Sequence, residues 1–272
     1  MTLSKQNNNT GPIAHQSLSV QLALTGHSFL ITHTQTKEVL FFCETIFDQA
    51  TTPEELLTHL TQKINDTSEL KQNFVHVVLI HCNDMVTSVP KSLFDSQKAA
   101  EYLKFNSKIL ATDFIAFDQV HAQDIITVYA PYININNFFF DTYGEFSYYH
   151  ATTKLLDTIL NSPSEPEVAK IHVHVFKDSF TCIVSTNNKL QLCNTYSYKT
   201  SEDFIYYILF CYEQLGLKTE TDTITLSGLI AKDDSLYALL YTYVRHINFE
   251  PNNKGVIIKD TPKHQQYIIS NI

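Results

Sequence analysis

Two stretches of this 272-residue chain repeat one series of local signals in one order, and that repetition constrains the fold more than any other feature. In the first stretch Leu18, Val20, Leu22 and Leu24 alternate with Ser19, Gln21 and Ala23, the period of a strand with one buried face. Gly26-His27 turns the chain, Ser28 to His33 forms a second strand, and Glu38 to Glu44 forms a third after the turn at 34–37. Thr52-Pro53-Glu54-Glu55 then supplies an N-cap hydroxyl, a proline at the first helical position and a capping-box glutamate. The apolar stripe Leu56, Leu57, Leu60 and Ile64 follows. In the second stretch Ile171, Val173 and Val175 alternate, Lys177-Asp178-Ser179 turns, and strands follow at 180–185 and 189–196 around Asn187-Asn188. Thr200-Ser201-Glu202-Asp203 caps a helix whose stripe runs from Phe204 to Leu215 and which Gly216 ends.

Each stretch leads into an apolar strand, at 74–80 and 223–226, then a further helix and a closing strand, at 146–149 and 247–250. Helices at 92–105, 135–141 and 151–160 and a strand at 124–130 complete the first half, and a helix at 235–246 completes the second. The expected fold class is therefore α/β: duplicated β-β-β-α-β-α-β lobes with mixed sheets, the second strand of each antiparallel to its neighbours. Ser162-Pro163-Ser164-Glu165-Pro166 breaks every pattern. It predicts a linker at 162–167 between a lobe at 17–161 and a lobe at 168–272, with a disordered polar tail at 1–16.

The formal net charge of -9 excludes a broad nucleic-acid surface, because an acidic chain gains nothing from releasing phosphate counterions. It disfavours anionic membrane surfaces for the same reason. No apolar run reaches about 18 residues, so no membrane insertion is expected. The five cysteines are odd in number and lack metal-motif spacing, and most sit in apolar runs such as 40–43 and 208–211. A reducing cytoplasmic setting is expected.

Thr87-Ser88-Val89-Pro90-Lys91-Ser92-Leu93-Phe94, Tyr102-Leu103-Lys104-Phe105-Asn106, Val128-Tyr129-Ala130-Pro131, the run Glu202 to Phe210, and Leu226-Ser227-Gly228 together resemble the DUF3822 family of Bacteroidetes. The duplicated unit resembles the actin, hexokinase and Hsp70 superfamily, which has a ribonuclease H-like fold. That resemblance implies a two-lobed actin-like architecture with a central cleft. In working members of the superfamily, the turn after the first strand of each half grips phosphate with an aspartate and glycines, and a glycine pair after a later strand holds the adenosine side. Here the first turn, Leu24-Thr25-Gly26-His27-Ser28, has one glycine and no carboxylate. The second, Phe176-Lys177-Asp178-Ser179-Phe180, has Asp178 and no glycine, and Leu226-Ser227-Gly228-Leu229 holds one glycine of a pair. A triphosphate needs several charge-assisted contacts, and losing most of them weakens binding to about millimolar or worse. Aspartate is also common in turns because its side chain caps local N–H groups, which accounts for Asp178 without any ligand.

Other groupings are weaker. His172 and His174 share one strand face, and His76 and His81 flank another strand. No third ligand accompanies either pair, and an exposed strand face accounts for them. Asp113, Asp118 and Asp124 with His121 read as a solvated connector. No cysteine has the basic or helix-start setting of a reactive thiolate. Tyrosines and phenylalanines crowd 138–149 and 196–243, as at a partner interface or at the seam between two lobes. The expectation is a non-catalytic cytoplasmic scaffold or adaptor with a protein partner and no cofactor. The alternative is an ATP-binding protein or weak ATPase that holds Mg-ATP at Thr25, Gly26, Asp178, Ser179, Ser227 and Gly228.

Overall fold

The computed structural model describes residues 15–105, 107–110, 112–163, 167–251 and 255–272. Almost all of the tail expected at 1–16, and residues 164–166 of the expected linker, lie outside the described residues. Among the described residues, thirteen strands and seven α-helices run in the order β1 (Gln16–Ala23), β2 (Gly26–His33), β3 (Val39–Ile46), α1 (Pro53–Asp66), β4 (His76–His81), β5 (Val86–Pro90), α2 (Ala99–Lys104), β6 (Ala116–Val120), β7 (Ile125–Tyr129), α3 (Ile133–Tyr143), β8 (Ser147–His150) and α4 (Ala151–Leu160). The second half follows with β9 (Ala169–Val175), β10 (Ser179–Thr186), β11 (Lys189–Ser197), α5 (Ser201–Gln214), β12 (Ile224–Gly228), α6 (Ser235–Tyr243), β13 (Ile247–Phe249) and α7 (Tyr267–Ser270).

The repeat is present in the sheets. One has strand order β3-β2-β1-β4-β8 and another β11-β10-β9-β12-β13. In both, the hairpin strand is antiparallel to its neighbours and the first strand pairs in parallel with the strand after the helix. The third strand is displaced by a register shift at the same place, between Ile31 and Thr32 in one copy and between Val184 and Ser185 in the other. Both α1 and α5 have 14 residues and a complete capping box, Thr52 with Glu55 and Thr200 with Asp203. These local devices set where each helix begins.

By contact the chain divides into two compact units, Met1–His81 with Pro131–Tyr149, and Cys82–Ala130 with His150–Ile272. The sequence reading placed 82–130 and 150–161 in the first lobe, whereas their contacts group them with the second half. The core of the first unit joins Leu18, Val20, Leu22, Phe29 and Leu79 to Leu56, Leu60 and Ile64 of α1 and Ile135 and Phe139 of α3. That of the second joins Ile171, Val173, Val175, Cys182 and Leu226 to Phe204, Ile205 and Ile208 of α5 and Leu240 of α6. Each such side chain stabilises its unit by about 1.5–3 kcal/mol through burial.

The segment 82–130 supplies a third sheet, β5-β7-β6, antiparallel throughout. Two sequence expectations change here. The helix expected over 92–105 is only Ala99–Lys104, preceded by two 3-10 turns at 91–93 and 96–98. The stretch read as a solvated connector contains β6, whose inward residues are Ala116, Asp118 and Val120. A carboxylate in an inward position disguises the strand period.

Candidate functional site

The register of the two large sheets equates β1 with β9 and β4 with β12. Leu18, Val20 and Leu22 correspond to Ile171, Val173 and Val175, and Leu79 corresponds to Leu226. The hairpin residues then match in turn: Thr25 with Asp178, and Gly26 with Ser179. Gly228 corresponds to His81. Thr25 and Gly26 belong to the first unit, and Asp178, Ser179, Ser227 and Gly228 to the second.

In the first unit the β1–β2 turn is held from outside. Phe47 N donates to Thr25 O at 2.9 Å, and Thr51 N donates to Leu24 O at 2.8 Å. A Cβ on Gly26 would lie 2.3 Å from Thr45 O, so the glycine there permits close approach to β3. In the second unit, Phe176 N donates to Ser179 O and Tyr198 N to Asp178 O, while Tyr198 OH lies 2.8 Å from Phe176 O. Burial, helped by the nearby Asp178 and Asp234 carboxylates, pushes the Tyr198 hydroxyl up to about 12, so it remains a donor to this turn. Asp178 itself is exposed.

Gly228 is brought beside the base of that turn. It has φ +84°, and a Cβ on it would lie 2.1 Å from Val175 O. The successive N–H groups after β12 all have protein acceptors. Gly228 N donates to His264 O, Leu229 N to Val175 O, Ile230 N to Gly228 O, and Ala231 N to Asp234 Oδ2. The backbone N–H groups of this loop, from Gly228 to Ala231, are therefore all bonded within the protein. Ser227 is fully buried, and its Oγ lies 2.7 Å from His172 Nε2 and 2.8 Å from His174 Nδ1.

These histidines correct the exposed-face expectation: His172 and His174 are 3% and 2% exposed. Their strand face is covered within the second unit, with the Tyr267 ring of α7 5.5 Å from that of His172. Glu250 Oε2 is 3.6 Å from His172 Nδ1. A proton arrangement consistent with these contacts puts N–H on His172 Nδ1, facing Glu250, lets His172 Nε2 accept from Ser227, and has His174 Nδ1–H donate to Ser227. Burial lowers both imidazoles to about 3, so they are neutral at ordinary pH. Serine, histidine and carboxylate thus stand in the order of a nucleophilic triad, but Ser227 has no exposed surface for a substrate to reach. The group works as a buried polar clamp between β9 and β12.

His81 is likewise buried, donating from Nε2 to Asn136 Oδ1 at 3.0 Å, and burial lowers it to about 4. Asp118 is also structural. Its carboxylate takes Tyr129 OH at 3.0 Å, His150 N at 2.9 Å and Thr153 Oγ1 at 2.8 Å, tying β6 and β7 to the start of α4. A hydrogen bond from Cys182 holds the Cys211 thiol below its ordinary value, yet both are buried. Among the described residues no group of three or more His, Cys, Asp or Glu could hold a metal ion, and no helix is long and apolar enough to cross a membrane.

The outward feature of the second unit is aromatic. On α5, Tyr206 is 62% and Phe210 40% exposed, with rings stacked at 6.5 Å. On α6, Tyr241 is 64% exposed and stacks on Tyr237 at 6.1 Å. The two helices begin side by side, Ser201 Oγ donating to Ser235 Oγ at 3.4 Å. Counted from the matched N-caps, Tyr206 and Phe210 stand where α1 has Thr58 and Gln62, both exposed. The sequence held this signal in its 3.6-residue spacing, but only burial separates the outward tyrosines from those in the core.

Among solved structures, the chain is similar to a Bacteroides thetaiotaomicron protein with an actin-like ATPase fold and unknown function. The identity is 20%, the TM-score is 0.77, and the match covers 87% of this chain and 91% of that one. It is also similar to the PilM-PilN type IV pilus biogenesis complex, with 10% identity, a TM-score of 0.53 and 96% of each chain covered. These likenesses establish the actin-like fold. No curated protein matches the sequence. The model of the DUF3822 family, described as a protein of unknown function, matches residues 5–247, and this chain belongs to that family.

Proposed function

We propose that this protein is a non-catalytic member of the actin-like fold that acts as an adaptor, binding another protein through the α5–α6 face. The observation that carries this reading is the exposed pair Tyr206 and Phe210, at positions where the matching helix of the same chain has Thr58 and Gln62. The repeated unit folds without aromatics there, so its architecture does not account for them. Exposed aromatic clusters mark association surfaces, where Tyr contributes large contact area with few rotors. The occupied N–H groups at 228–231 support the non-catalytic half of the reading. The PilM-PilN complex is an instance of this fold in a protein assembly.

A photo-crosslinking residue placed at Tyr206, with one at Thr58 as control, tests the reading in native lysate. A protein adduct specific to position 206 is expected, and its absence counts against an adaptor. The rival reading, Mg-ATP held by Thr25, Gly26, Asp178, Ser179, Ser227 and Gly228, draws on the approach of Gly228 to the 176–179 turn. Millimolar Mg-ATP is expected to leave the melting temperature unchanged. A stabilisation that disappears in Asp178→Ala would sink the non-catalytic reading.

A further inference from the structure

Resting on that reading, we infer that the partner presents a basic amphipathic helix to the α5–α6 face. Glu202, Tyr206, Phe210 and Glu213 are all exposed and recur at intervals of three and four residues, so they form one stripe along α5. The stripe has a carboxylate at each end and two aromatic rings between them. From Glu202 to Glu213 it spans about 16 Å at 1.5 Å per residue. α5 has no basic residue and α6 no charged one, and α6 is preceded directly by Asp233 and Asp234. The complementary surface is an apolar patch flanked by lysine or arginine. Such cations meet the carboxylates at the ends and stack on tyrosine faces along the way. The adjacent α6 carries an exposed aromatic of its own, Tyr241, so exposed rings are not confined to one helix. α1 again provides the contrast, since its exposed residues include the polar Thr58, Gln62 and Asn65 and no Phe or Tyr.

The probe is a fluorescein-labelled 14-residue peptide of leucine and lysine in amphipathic helical order, beside the same peptide with every lysine replaced by glutamate. Anisotropy is read with the full-length chain. The lysine peptide should bind, and the glutamate peptide should not. Binding should weaken at least tenfold in Tyr206→Thr/Phe210→Gln, which installs the α1 residues and so keeps the helix. It should weaken comparably in Glu202→Lys/Glu213→Lys and in added salt. Equal binding of both peptides, or indifference to both double substitutions, overturns the inference. So does a dimer seen by sedimentation that Tyr206→Thr/Phe210→Gln dissociates, which would make a second copy the occupant. Binding to phosphatidylcholine vesicles through the same residues overturns it in favour of a lipid surface. A crosslinked partner at position 206 whose binding ignores Glu202→Lys/Glu213→Lys overturns the basic helix alone and leaves the adaptor standing. Failure of both crosslink and peptide removes both.

Discussion

The two large sheets of this protein are the same construction with different side chains on their second faces and on their outer helices. Along the first strand, core positions agree: Leu18, Val20 and Leu22 match Ile171, Val173 and Val175. The intervening positions differ, Ser19 and Gln21 against His172 and His174, and beside them Ile80 against Ser227. On the outer helix Thr58 and Gln62 stand against Tyr206 and Phe210. Hairpins, register shifts and caps are common to both copies, so they are what the fold requires. What differs is free of that requirement, and it is where a function specific to one copy can be sought.

The comparison is sharpened most by pH. His172 and His174 are depressed in the folded state, to about 3, from 6.5. The unfolded chain therefore binds more protons between those values, and the associated stability is complete above pH 6.5 and is lost as pH falls towards 3. At pH 5 the loss is about 2 kcal/mol for each imidazole, about 4 together. Urea midpoints at pH 7 and pH 5 should show it, and His172→Ser/His174→Gln, which installs the residues of the first sheet, should remove that part of the slope. An unchanged slope would mean that the pair is not buried as described.

Gly228→Ala comes next. Its Cβ would meet Val175 O at 2.1 Å, so a loss of about 3 kcal/mol is expected, as for other substitutions that force backbone apart. Gly216→Ala has nothing within 4 Å and only its φ of +64° against it, and should lose about 1 kcal/mol. If Gly228→Ala were as mild as Gly216→Ala, the glycine would be free for a ligand and the nucleotide reading would gain.

Thr52→Ala and Thr200→Ala should each destabilise by about 1 kcal/mol, because the two capping boxes are alike. Unequal values would break the equivalence of the copies at the helix starts. Smallest is the effect of Tyr206→Thr/Phe210→Gln on stability, within about 0.5 kcal/mol in a thermal melt. A larger loss would assign those rings to packing and remove the reason to give them a partner.

Sequence legibility tracked the range of the interactions. The meanders, the capping boxes and the stop at Gly216 depend on residues within a few positions of one another, and they stand where alternation and cap chemistry placed them. The site residues were legible as positions but not as environments. Gly26 reads as the remnant of a phosphate turn and Gly228 as one glycine of an adenosine-side pair, yet each also meets a backbone carbonyl from another strand, Thr45 in one case and Val175 in the other. β6 was missed because Asp118 faces inward, which is tolerable only with three hydrogen-bond donors brought from β7 and α4.

By itself the sequence determined the duplicated order of elements, the antiparallel hairpins and the helix starts, since turn chemistry and side-chain period act over a few residues. Only the tertiary structure decided that 82–130 groups with the second half and that His172, His174 and Ser227 form a buried clamp. It also decided that Tyr206 and Phe210 face outward while Tyr212 of the same helix is buried. Burial is set by which distant element covers a face, and α7, about 95 residues beyond His172, covers this one.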